Sequence, residues 1–134
     1  GERAIMKNGH YSYLYAMDVV KGRWPEGEPA IMKNGYSSFN YARDVIGGRW
    51  LEAEPIIAQD ARTAYDYARD VIGGRWPEGE RAIMHQDTAS LYAKDNNLKI
   101  VHRDSGEPCD AARSYCIFVE TRASAVFKFN QRPL

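Results

Sequence analysis

Apolar positions along the first hundred residues recur with a helical spacing. Phe39, Ala42, Val45 and Ile46 fall at i, i+3, i+6 and i+7, one stripe of an α-helix. The same stripe returns as Tyr13, Ala16, Val19 and Val20 and as Tyr65, Ala68, Val71 and Ile72. Upstream of each stands Asn8, Asn34 or Asp60, whose side chain suits the orphan amides of a first turn. Downstream stands Gly22, Gly48 or Gly74, expected to take the left-handed conformation that ends a helix. Between one long helix and the next, Pro25 or Pro77 and the acidic Glu26, Glu28, Glu52, Glu54, Glu78 and Glu80 predict a short helix. Pro29 and Pro55 allow that helix to begin one turn later. Its apolar anchors are Ile5, Ile31, Ile57 and Ile83.

The pattern is a tandem repeat. Gly-Arg-Trp occurs at Gly22, Gly48 and Gly74, a period of 26 residues, and the flanks align without gaps. Units 1–26, 27–52 and 53–78 are followed by a partial unit, 79–95, in which the tyrosine equivalent to Tyr15, Tyr41 and Tyr67 arrives one residue early, as Tyr92. The second and third units share 14 of 26 positions, which marks duplication rather than shared composition. One such pair of helices cannot bury its stripe alone, so the expected fold class is mainly α: an α-solenoid of 26-residue helix-pair repeats over 1–95, stacked unit on unit.

From Leu98 the helical period gives way to β-type runs at 98–102, 115–119 and 125–129, separated by turn signals. Residues 96–134 are therefore expected to form a small β-rich segment capping the array. The stretch Tyr67 to Glu80, Tyr-Ala-Arg-Asp-Val-Ile-Gly-Gly-Arg-Trp-Pro-Glu-Gly-Glu, resembles short tandem repeats in hypothetical proteins of bacteriophages and bacteria. The resemblance covers roughly residues 1–95 and implies a phage or bacterial origin without an established activity.

Charge narrows the function. The chain has 18 basic and 18 acidic residues, 12 and 14 of them up to Asp95, so it lacks the basic excess that drives non-specific nucleic-acid binding. No apolar run reaches membrane-span length and no secretory leader opens the chain, which points to the cytoplasm, that of a host cell if the gene is a phage's.

Candidate chemistry lies in three sets of residues. Arg23, Arg49 and Arg75 form a row that could meet phosphates or a partner's carboxylates; the favoured reading pairs them internally with Asp18, Asp44 and Asp70, which oppose the helix dipole and call for compensation. Trp24, Trp50 and Trp76 are read as wedges between helix layers, with base stacking as the alternative. His102, Asp104, Cys109 and Cys116 are the one cluster with enzyme-like residue types, and the two cysteines are read as buried or free thiols in preference to a disulfide or partial metal site.

The expectation is a non-catalytic protein-binding or scaffold protein with no cofactor and no metal. A nucleic-acid binder using the arginine and tryptophan rows, or a small enzyme or metal site in 96–134, is the alternative. Gly1 to Met6 repeat as Gly79 to Met84, so the chain opens inside a unit. The exposed side of that first unit is expected to be covered by further units or by another copy stacking head to tail.

Overall fold

A computed structural model describes residues 7–121. Among these the chain forms seven α-helices and one two-stranded antiparallel sheet. The long helices begin as α1 (Gly9–Tyr15), α3 (Gly35–Tyr41) and α5 (Ala61–Tyr67). Each runs directly into a wider, π-helical turn, Ala16–Val20, Ala42–Ile46 and Ala68–Ile72. The short helices are α2 (Glu28–Ile31), α4 (Glu54–Ile57) and α6 (Glu80–Ile83), each preceded by one 3-10 turn, and α7 (Ala89–Asp95) is the long helix of the partial unit. Strand β1 (Leu98–His102) pairs with β2 (Cys116–Glu120), Leu98 opposite Glu120 and His102 opposite Cys116.

The expected caps are present at the first three long helices. Side chains of Asn8, Asn34 and Asp60 accept from the amides of Tyr11, Ser37 and Thr63, all from extended backbone. Thr88, at the head of α7, makes no such bond; its hydroxyl donates instead to the Ile83 carbonyl at 2.7 Å.

The helix ends differ from expectation in one residue. The left-handed positions are Lys21, Gly47 and Gly73, not the second glycine of each pair. The amides of Gly47 and Gly48 both reach the carbonyl of Ala42, at 2.8 and 3.2 Å, and the same pair of bonds closes the first and third units. The first residue of each pair therefore turns the chain while the second supplies an amide. Because the last turn is wide, the Val-Ile pair rotates off the buried stripe. Val45, Ile46, Val71 and Ile72 are half-buried, and Val19 is 61% exposed.

Burial concentrates elsewhere on the long helices. Tyr41, Tyr67 and Ala42 are fully buried, and so are the anchors Ile31, Ile57 and Ile83 of the short helices; Ile5 lies outside the described residues. Helix α1 packs on α2 and α3, α3 on α4 and α5, α5 on α6, and α7 on β1, with one continuous apolar core from Tyr13 to Phe118. The second strand begins and ends one residue later than expected, and the third expected run, 125–129, lies outside the described residues. Cys109 and Cys116 form a disulfide, which corrects the reading of them as thiols. It closes the loop between the strands, where Cys109 also donates its amide to Ile100 and His102 donates to Glu107.

Gly47→Ala places a Cβ on a left-handed residue and should cost about 1 kcal/mol in chemical denaturation. Gly48→Ala, with ordinary φ and nothing within 4 Å of the added carbon, should cost distinctly less. Equal losses at the two positions would contradict this assignment of roles.

Candidate functional site

The residues with functional potential meet between consecutive units, in a bridge repeated three times. The amide of Trp24 donates to the hydroxyl of Tyr41 at 2.8 Å, and that hydroxyl donates to Glu28 at 2.6 Å. Arg23 grips the same carboxylate with two parallel bonds of 2.9 and 3.0 Å. One unit on, Trp50, Tyr67, Glu54 and Arg49 repeat the arrangement, with distances of 2.9, 2.7, 2.8 and 2.8 Å. Trp76, Tyr92, Glu80 and Arg75 complete the third bridge. Forked arginine–carboxylate pairs of this kind fix orientation as well as charge.

This corrects the expected aspartate–arginine ladder, because the arginines pair with the glutamates of the following short helix. Arginine and glutamate are five residues apart across one tight turn, whereas each long-helix aspartate is directed elsewhere. Asp44 accepts from the Tyr13 hydroxyl at 2.6 Å and from Arg43 at 2.8 and 2.9 Å; Asp95 accepts from Tyr65 at 2.5 Å. In the middle of the array Phe39 has no hydroxyl to give, and Asp70 is held by Arg69 alone among the described hydrogen bonds. Asp18 is exposed and has no partner among the described residues.

The three tryptophans are buried, Trp50 and Trp76 almost completely, as wedges should be. Tyr41 lies against Trp50 and Tyr67 against Trp76, with ring centroids 4.9 Å apart in both pairs. Each tyrosine therefore links two units: its hydroxyl reaches back to the preceding turn while its ring rests on the tryptophan of its own unit. At the end of the array Phe118 of β2 takes the tryptophan's place, 4.8 Å from Tyr92, and Arg75 donates to the Phe118 carbonyl. In the sequence these tyrosines served only to align the units. Their persistence through the one-residue deletion before Tyr92 was the signal of a structural role.

Ionisation in the bridge follows from this geometry. Burial raises the Tyr41 hydroxyl to about 12, and donation to Glu28 adds to the effect. Tyr67 and Tyr92 are raised for the same reasons. Burial pushes the Glu28 and Glu54 carboxyls up, but the hydrogen bonds from arginine and tyrosine together with the arginine charge outweigh it, and both end below the ordinary value.

The four residues of the C-terminal cluster are engaged separately. Both cysteine sulfurs are in the disulfide, the His102 ring stacks on Tyr115 at 4.5 Å, and exposed Asp104 lies 3.9 Å from Arg103. Among the described residues no three His, Cys, Asp or Glu side chains converge as metal ligands would. A cleft of about 630 Å³ lies between α6 and β2, lined by Glu80, Arg81, Met84, Arg103, Ser114 and Phe118. No helix among the described residues is long and apolar enough to cross a membrane. Compared with protein-family models, with curated proteins and with solved structures, the chain matches none.

Tyr67→Phe removes the central hydroxyl and leaves the buried Trp50 amide without its acceptor, so it should destabilise the chain by about 1–3 kcal/mol. The bridge also sets a pH window. The depressed glutamates contribute stability that is present above their unfolded value and lost as pH falls through the folded one. The raised tyrosines contribute stability that is present below their unfolded value and lost as pH rises through the folded one. Denaturation midpoints should therefore fall below about pH 4.5, and Glu54→Gln should flatten the acid limb. An unchanged acid limb in that variant would remove Glu54 from the account.

Proposed function

We propose that the chain is a non-catalytic α-solenoid that binds or scaffolds proteins, of the phage or bacterial type that its motif resembles. The observation that carries this reading is the interunit bridge, because it commits the residues with chemical potential to holding neighbouring units together. The forked donors of Arg23, Arg49 and Arg75 are directed at glutamates, and the tryptophan rings lie inside the core. A single-strand binder needs unpaired cations and exposed rings, and these two rows supply neither. Contacts made only between successive units are what a solenoid requires, and a row of such units offers a long surface to a partner.

On location, the Cys109–Cys116 disulfide favours an oxidising compartment over the expected cytoplasm.

Two measurements test the proposal. Inserting one further copy of residues 53–78 directly after Glu78 should give a folded chain with a higher denaturant midpoint and a steeper transition, since a solenoid gains one interface per unit. A lower midpoint would oppose the solenoid. Titration with single- and double-stranded nucleic acid should give weak binding at physiological salt. Tight binding that falls steeply with salt would select the nucleic-acid reading instead.

A further inference from the structure

The first unit departs from the others on one face of its long helix. A stripe with spacings of four, three and four residues reads Lys7, Tyr11, Leu14 and Asp18 in the first unit. In the second it reads Lys33, Ser37, Asn40 and Asp44, and in the third Gln59, Thr63, Asp66 and Asp70. In the later units this stripe faces the unit before it. Asp44 accepts from Tyr13, and Gln59 and Thr63 share a cleft with Lys33, Asn34 and Tyr36. Ser37, Asn40 and Thr63 are accordingly 3%, 7% and 5% exposed.

On the first unit the two central positions change from small or polar to large side chains, Tyr11 open and Leu14 partly covered by the core. Tyr11 is 60% exposed, Leu14 is half-buried, and Met17, Val19 and Val20 extend the apolar surface beside them. A tyrosine thus stands where Ser37 and Thr63 lie buried. The apolar area of this surface marks a contact site.

We propose that two copies of this chain pair through this face, α1 against α1, antiparallel about a two-fold axis. The stripe is positive, apolar, apolar, negative, and reversal makes it complementary to itself. Lys7 comes opposite the partner's Asp18 and Tyr11 opposite the partner's Leu14, each contact made twice, as a two-fold interface demands. Asp18, which has no partner among the described residues, thereby gains one. Head-to-tail stacking is opposed at the other end, where Phe118 covers Tyr92 and Ser90 stands in the place of Tyr13 and Tyr65. The pairing goes beyond the scaffold reading and does not depend on it, since a solenoid with any other ligand would carry the same face.

Sedimentation velocity of the full chain over a concentration series tests it. The expected result is a reversible monomer–dimer equilibrium and no larger species. Lys7→Asp or Asp18→Lys places like charges opposite one another twice and should weaken the dimer about tenfold or more. The double variant, and an equimolar mixture of the two single variants, should recover the wild-type affinity. Leu14→Arg should abolish pairing, while circular dichroism shows each variant still folded. A chain that remains monomeric up to about 1 mM overturns the proposal. So does a dimer indifferent to Leu14→Arg, a charge swap that does not recover, or a series that continues to grow beyond the dimer.

Discussion

The array depends on one hydroxyl per unit boundary. A buried phenol that accepts from a backbone amide and donates to a carboxylate is satisfied only when three elements are in register: the turn bearing the tryptophan, the short helix bearing the glutamate and the long helix bearing the tyrosine. Displacing any of them leaves polar atoms buried without partners, which costs more than a typical hydrogen bond returns. Tyr41, Tyr67 and Tyr92 thus fix the rotation of each unit on the next, and the tryptophans fill the space that this rotation leaves.

The partial unit shows how strongly this constraint acts. One residue is missing before α7, the cap that Asn8, Asn34 and Asp60 provide is not made by Thr88, and the Gly-Arg-Trp end is replaced by Asn97 and a strand. Even so, Tyr92 reaches Trp76 and Glu80 as its counterparts do. The aromatic partner changes identity but the contact is kept, since Phe118 arrives from a hairpin to lie where a tryptophan would.

Much of this was legible in the sequence, because periodicity reports any position that does the same thing in every unit. The helix pairs, the three caps, the isoleucine anchors and the tryptophan wedges could all be read that way. Periodicity could not choose between partners that recur with the same period. Arg49 has Asp44 and Glu54 five residues to either side, and only the tight turn after Trp50 decides for the glutamate. The glycine pairs posed a similar problem. Gly22, Gly48 and Gly74 were expected to be the left-handed residues, whereas the wide last turn places that conformation one residue earlier. The disulfide had no periodic signal, since its two cysteines meet only once the hairpin is formed.

The tyrosine bonds of the bridges join residues 12 or 13 and 16 or 17 positions apart, and the longer tyrosine–aspartate links span 30 or 31. These links are made between segments that the chain brings together early, at small loop-closure entropy. A molecule wired in this way has a low contact order however many units it contains. Links of such short range are the kind that let a chain fold outward from local contacts.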